Sequence, residues 1–168
     1  MRHQVTIGGA DIQRPAIDVG TIGAGGGSIA WIDDGGALRV GPRSAGAVPG
    51  PVAFGRGGTL PTVTDAHIAL GRLDAAQLSG GVRINADAAR AAIAELANRL
   101  GTDATRTAAA IIAIADAEMA RALRRVSVER GIDPRSCALL AFGGAAGLHV
   151  SAVAAELGIG RVVVPVAA

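Results

Sequence analysis

The sequence predicts an α/β fold built from two differently composed segments. Gly and Pro punctuate short β patterns before about residue 79, and Ala-rich segments with helical spacing of apolar residues follow. Residues 137–164 then alternate strand, glycine turn, helix and strand, which is a βαβ unit. A chain of 168 residues can bury one core. We therefore predict a single domain in which a Gly-rich β meander (1–78) precedes long helices and the βαβ unit (79–168).

The first segment is predicted to fold around a glycine loop, residues 23–27. Residues 16–22 form the strand entering this loop and residues 28–33 the strand leaving it, followed by a turn at 34–36 and a short strand at 38–40. Residues 41–58 are rich in Gly and Pro and indicate a long structured loop. Thr64 or Asp65 then caps a short helix that ends at Leu70.

The second segment carries clearer helix signals. Asn85 is predicted to cap a helix ending near Leu100, and Thr102 a longer helix ending near Arg130. Apolar residues recur at helical spacing along the longer helix, at Ile111, Ile112, Ala115, Met119, Leu123 and Val126. Strands at 137–142 and 161–164 flank a helix at 145–157. A helical crossover makes those two strands parallel, with the long helix packed on their sheet.

Composition excludes several classes of chemistry. Every basic residue is Arg, so a P-loop lysine, a Schiff-base lysine and a kinase-type lysine are absent. The single Cys, Cys137, cannot form an internal disulfide or a multi-cysteine zinc site, and its place at the head of a predicted strand indicates a small core residue. The Arg residues are scattered and the net charge is +2, which argues against nucleic-acid binding. The most apolar stretch, 108–115, is too short to span a membrane, so we expect a cytoplasmic protein.

The glycine loop at residues 23–27 and a glycine turn at residues 143–146 are candidate nucleotide sites. At the glycine turn, a buried strand runs directly into the start of a helix. A nucleotide can approach the backbone there without meeting a Cβ and can be held by the N-terminal amides of the helix. Its candidate binding residues are Gly143, Gly144, Ala145 and Ala146. The alternative is a plain strand–helix turn. The loop at 23–27 continues into β structure, which argues against a dinucleotide fingerprint. Residues 18–21 look like an ATPase phosphate loop, but a glycine-rich hairpin that packs closely explains them as well.

The sequence assigns no metal site and no catalytic residue. His3, His67 and His149 lie far apart along the chain and are expected not to form a ligand cluster. Asp65 and His67 are a weak candidate metal pair, because Asp65 as a helix cap and His67 as a surface residue explain them more simply. The carboxylates occupy turns or helix faces without forming a pair suited to acid–base catalysis: Asp33, Asp34, Asp116, Glu118 and Glu129.

Eight runs of sequence together resemble the hydantoinase A/oxoprolinase family, in the order the family has them. These runs are residues 21–31, 36–47, 49–51, 55–58, 61–66, 70–72, 130–135 and 141–145. The resemblance covers about residues 12–165. It implies an actin-like ATPase (ribonuclease H-like) fold that binds ATP with Mg²⁺ between two lobes, with Gly143 and Gly144 on the adenosine side.

The same resemblance implies an ATP-dependent hydrolase of non-peptide C–N bonds in cyclic amides, such as hydantoins and 5-oxoproline. Related members activate ketones in carboxylases, and many work with a second, B-type subunit. Family members are several times longer, with their phosphate loops upstream. We therefore expect a C-terminal fragment that is inactive alone, that pairs with the remainder of a hydantoinase A chain, and that oligomerises.

Three departures from the family pattern concern this expectation. The family usually has Gly-Pro at the positions of Ala146 and Gly147. It often has Cys-Tyr at the positions of Ala53 and Phe54, and His is common at the position of Gly20. The alternative to an enzyme fragment is a non-catalytic remnant that binds a partner through the loop at 41–58.

Overall fold

The computed structural model describes residues 5–7, 10–12, 21–73 and 83–165. Most of the predicted strand at 16–22 and the segment boundary near residue 79 therefore lie outside the described residues. Residues 21 and 22, which are described, are not in a strand. Strands β1 (Val5–Ile7) and β2 (Ala10–Ile12) pair antiparallel.

The predicted hairpin after the glycine loop is confirmed. Strands β3 (Ser28–Ile32) and β4 (Leu38–Ser44) pair antiparallel. Asp33 closes the turn, since its carboxylate accepts the Gly35 and Ala37 amides and pairs with Arg39. The amide of Ala37 and the Arg39 side chain lower the pKa of Asp33. Strand β4 continues four residues beyond the predicted 38–40, so the loop predicted to begin at residue 41 begins after Ser44.

Helix α1 (Val63–Ala69) begins slightly earlier than predicted. Thr62 is its N-cap and forms a capping box with Asp65, so the predicted caps Thr64 and Asp65 are wrong. The fully buried Asp65 carboxylate also accepts the amides of Val52 and Ala53. It thereby ties a 3-10 turn, Val52–Phe54, to the start of α1.

The main core lies between three helices and the hairpin. Asn85 caps α2 (Ala86–Leu100) as predicted, whereas α3 (Ala104–Glu129) is capped by Asp103 and not by Thr102. The core cluster joins residues of β3 and of all three helices: Ala30, Val63, Ala66, Ile93, Leu96, Ala108, Ile111, Ile112 and Ala115. Burying these side chains is the main driving force that fixes α1, α2 and α3 together.

The second half of α3 leaves this core. The predicted apolar stripe is buried at Ile111, Ile112 and Ala115, but Leu123 is 38% exposed and Val126 is 37% exposed. The apolar spacing of α3 therefore extends beyond the part of the helix that this core covers.

The predicted βαβ unit is confirmed, with shorter strands. Strand β5 (Leu139–Leu140) pairs parallel with β6 (Val162–Val163), and α4 (Ala146–Leu157) connects them. Cys137 is exposed and precedes β5, so its predicted place in the core is wrong. Most of α3 packs on helices α1, α2 and α4. It meets the β5–β6 sheet through Leu139, which packs against the cluster that Ala120 forms with Val153 and Leu157.

Across the described ranges, no helix combines the length and the apolar character needed to cross a membrane.

Candidate functional site

The two glycine motifs of the sequence meet in space beside the start of α1. The Gly26 carbonyl accepts both the backbone amide and the hydroxyl of Thr64, each at 2.9 Å. A Cβ built on Gly26 would lie 2.8 Å from the Thr64 hydroxyl and 3.3 Å from the Cβ of Ala145. The glycine loop (residues 23–27) is therefore in contact with the glycine turn (residues 143–146), although more than a hundred residues separate them in sequence.

Close packing explains three glycines of the glycine loop. Added Cβ atoms would lie 3.1 Å from Pro42 at Gly23 and 2.8 Å from the Ser44 hydroxyl at Gly27, and Gly26 is crowded as described above. Gly23, Gly26 and Gly27 are therefore closely packed, whereas residues 18–20 of the phosphate-loop alternative lie outside the described residues. Gly25 differs, because a Cβ there would meet no atom within 4 Å.

The glycine turn is open. Gly143 has φ +85°, a conformation that favours glycine, whereas Gly144 has no positive φ. A Cβ at Gly143, Gly144 or Gly147 would meet no atom of the described chain within 4 Å. Helix α4 starts here without a side-chain cap, since Ala145 occupies the N-cap position. The first amides of a twelve-residue helix thus border open space in front of exposed glycines.

Directly behind this turn, two buried histidines and the partly buried Asp116 form a cluster of titratable side chains. His149 Nδ1 lies 2.6 Å from the Asp116 carboxylate, and His149 Nε2 lies 3.4 Å from His67 Nε2. Both histidines are 1% exposed. The expectations that His67 lies on the surface and that the histidines stay apart are wrong for this pair, and His3 lies outside the described residues.

The sequence holds a signal for this cluster that periodicity arguments miss. Asp116 occupies an i, i+4 row of α3 between the buried residues Ile112 and Ala120. His149 occupies the matching row of α4 with Val153 and Leu157, which are also buried. A carboxylate and an imidazole on the apolar faces of two helices need polar partners, and here the two groups are hydrogen-bonded to each other.

His67 is the least satisfied member of the cluster. Its Nδ1 atom is buried without a hydrogen-bond partner among the described residues. Burial, followed by the positive charges of His149 and Arg72, lowers the pKa of His67 from 6.5 to about 4, against a smaller opposing effect of Asp116. His67 is therefore neutral at physiological pH.

The weak candidate metal pair is not assembled. The Asp65 carboxylate accepts hydrogen bonds from the amides of Val52, Ala53 and Thr62 and from the Thr62 hydroxyl. Its neighbour His67 contacts His149 instead. Within the described residues, no group of three or more His, Cys, Asp or Glu side chains could hold a metal ion.

A groove adjoins the glycine loop on the side of α3. It has a volume of about 830 Å³ and is lined by Ile22, Pro42, Leu123 and Val126, among others. Leu123 and Val126 are the exposed apolar part of its α3 wall, which also carries Glu118, Arg125 and Glu129.

With this geometry in place, comparison with known proteins identifies the family. The family model described as hydantoinase/oxoprolinase matches residues 1–168. The chain belongs to this family, which confirms the resemblance seen in the sequence. The α/β organisation, with helices and small sheets, agrees with the solved relatives.

Three relatives give the family its chemical range. The chain is 54% identical over 153 residues to caprolactamase subunit alpha of Pseudomonas jessenii, covering 90% of this chain and 22% of that one. The crystal structure of that ATP-dependent caprolactamase matches with a TM-score of 0.84 over 92% of this chain and 23% of the other.

The other two are carboxylases. Identity to the acetophenone carboxylase gamma subunit of Aromatoleum aromaticum is 44% over 140 residues, 82% of this chain and 19% of that one. A nucleotide-free acetone carboxylase structure matches with a TM-score of 0.76 at 31% identity, covering 84% of this chain and 20% of the other. The chain thus spans about a fifth of the length of these three relatives.

Proposed function

We propose that this chain is part of an ATP-dependent hydrolase of the hydantoinase/5-oxoprolinase type that opens cyclic amides. The match to the hydantoinase/oxoprolinase family and the 54% identity to caprolactamase subunit alpha support the cyclic-amide substrate. The nucleotide site rests on one observation of the structure: the glycine turn at the uncapped start of α4 borders open space and adjoins the glycine loop. Its candidate binding residues are Gly143, Gly144, Ala145 and Ala146, with the base or ribose of ATP lying against their backbone. The ATP dependence named for the caprolactamase relative supports this assignment.

The residues present fit one side of a nucleotide and not the metal that accompanies it. The exposed glycines Gly143 and Gly144 and a helix start without a side-chain cap suit a nucleotide. The described residues offer no acidic cluster, so Mg²⁺ would be held by phosphate oxygens, water and ligands outside them. We accordingly propose that ATP binds between this segment and the remainder of a hydantoinase A chain in an actin-like ATPase fold. Residues 1–168 alone should bind ATP weakly and not hydrolyse it.

Partner subunits follow from the same proposal. The relatives are named as an alpha subunit and a gamma subunit. We propose that the complete protein works as an oligomer with a B-type subunit.

The second candidate function is a piece of a ketone carboxylase, favoured by the match to the acetone carboxylase structure. A complete subunit that carries this sequence would separate the two functions. Lactam or hydantoin hydrolysis coupled to ATP use supports the first, and carboxylation of acetone or acetophenone supports the second.

The nucleotide assignment is tested by Gly144→Val in a chimeric caprolactamase subunit alpha whose 153 aligned residues come from this chain. The chain leaves open space at Gly144, so the valine should disturb ATP and not the fold. Gly160→Val is the matched control, because Gly160 is also open and follows the far end of α4. We expect at least tenfold weaker ATP binding by calorimetry for Gly144→Val only, with unchanged thermal unfolding of both variants. Equal ATP affinity of the two folded variants would contradict the assignment.

A further inference from the structure

The buried cluster of Asp116, His149 and His67 joins three helices at one point. Asp116 lies on α3, His149 on α4 and His67 on α1, and their contacts are 2.6 Å and 3.4 Å. The two imidazole rings meet edge to face, with centroids 4.8 Å apart and an interplanar angle of 81°. None of the proposed nucleotide contacts uses these side chains.

The cluster lies one helical turn behind the contact of the two glycine motifs. Thr64, which binds Gly26, is three residues before His67 on α1. Ala145, which abuts Gly26, is four residues before His149 on α4. Residues at these spacings share one helix face. The first turns of α1 and α4 are therefore held together twice, at the surface by Gly26 and in the interior by the imidazoles.

We propose that Asp116, His149 and His67 are positioning residues that hold the first turn of α4 against the glycine loop, and that they do so only while His67 is neutral. The proposal rests on the proposed function in one respect, namely that the turn so positioned is the nucleotide cradle.

The charge on His67 decides whether this side chain is satisfied in the interior. A neutral His67 can leave its buried, unpartnered Nδ1 atom without a hydrogen. A protonated His67 carries an N–H on both ring nitrogens, so its Nδ1–H is buried without an acceptor among the described residues. It also places a positive charge in the interior beside His149. Both effects oppose the burial of His67 between α1 and α4.

Burial and two of the three surrounding charges favour a neutral His67. The charged groups that act on His67 are His149 on α4, Asp116 on α3 and Arg72 just after α1. His149 and Arg72 oppose a positive charge on His67, and Asp116 favours it. With burial added, the pKa of His67 falls to about 4, so the contact holds through neutral pH and is lost in acid.

The contact of Gly26 with Ala145 can be followed directly by NMR. The hydrogen that stands in the place of a Gly26 Cβ points at the Ala145 methyl group, so a strong NOE between them reports the docked turn. In the wild-type chain we expect this NOE at pH 7 and its loss as the pH falls through about 4, the pKa of His67.

Three variants of the intact chain separate positioning from general acid damage. His67→Gln keeps a hydrogen-bonding group but cannot titrate, so the NOE should persist to lower pH than in the wild type. Arg72→Gln removes a charge that lowers the pKa of His67, so the midpoint should move to higher pH. His67→Ala should lose the NOE at every pH.

An NOE that vanishes at the same pH in the wild type, His67→Gln and Arg72→Gln would overturn the proposal. Persistence of the NOE in folded His67→Ala at pH 7 would also overturn the proposal. If His67→Ala does not fold, the comparison of His67→Gln and Arg72→Gln with the wild type decides. The measurement needs no ATP. Unchanged ATP affinity of Gly144→Val would therefore contradict the nucleotide assignment and leave the positioning role of the histidines intact. Failure of the NOE test would contradict the positioning role and leave the nucleotide assignment intact.

Discussion

Acid should destabilise this protein through His67. The pKa of His67 is about 4 in the folded chain, against an ordinary value of 6.5 that the side chain regains on unfolding, so the unfolded chain binds more protons between these values. Stability therefore increases with pH across this window and is lost as the pH falls from about 6.5 toward 4. The full effect amounts to roughly 3 kcal/mol, of which about 2 kcal/mol is lost between pH 7 and pH 5.

Urea unfolding of dilute protein from pH 8 to pH 4 measures this loss, with His67→Gln as the reference. The variant cannot titrate, so the difference between the two stability profiles isolates His67. Asp33 and Asp133, whose pKa values are lowered below 3.8 by backbone and Arg hydrogen bonds, affect stability only at lower pH. Parallel profiles of wild type and variant, or a wild type that gains stability on acidification, would refute the reasoning.

Three further perturbations follow from the structure. Asp65→Ala removes four hydrogen bonds and should lower the free energy of unfolding by on the order of 3–5 kcal/mol. Asp65→Asn should lower it less, because the amide oxygen can still accept some of these hydrogen bonds. Chemical denaturation measures both variants, and equal losses of stability would contradict the argument. Gly143→Ala should destabilise the protein by about 1–2 kcal/mol because Gly143 has a φ of +85°. Gly147→Ala lies in open space on α4 and should stabilise the helix by about 0.5 kcal/mol. Thermal unfolding compares the two variants, and unfolding temperatures that change in the same direction would count against the backbone assignment. Leu123→Gln combined with Val126→Gln should reduce concentration-dependent association in sedimentation velocity without lowering stability, and unchanged association would show that this groove wall is not responsible.

Local sequence signals predict the parts of the fold that depend on neighbouring residues. Helix α2 is predicted correctly because Asn85 and Gly101 mark its two ends and the apolar spacing between them is regular. The predicted cap of α3 lies one residue early because Thr102 and Asp103 are both good caps and local sequence cannot choose between them. Cys137 is wrongly predicted in a strand core because an apolar run shows no boundary where pairing stops, and strand pairing is set by distant residues.

The candidate site is harder to predict because its contacts are non-local. His67 and His149 are 82 residues apart, and Asp116 and His149 are 33 apart. A single sequence shows each of them as an isolated polar residue. The glycine turn is predictable from its local context between strand and helix, but its contact with Gly26 is visible only in three dimensions.

The two glycine motifs look alike in the sequence and differ in what surrounds them. In the glycine loop, Gly23, Gly26 and Gly27 are small because Pro42, Thr64 and Ser44 already occupy the space a side chain would need. In the glycine turn, the described chain supplies no atom within 4 Å of the missing Cβ at Gly143 or Gly144. A positive φ explains Gly143, but neither packing nor backbone conformation explains Gly144. The described residues thus set no limit on a side chain at Gly144, as at Gly25, Gly147 and Gly160. What distinguishes Gly144 is its place at the uncapped start of α4, where we propose that the nucleotide lies.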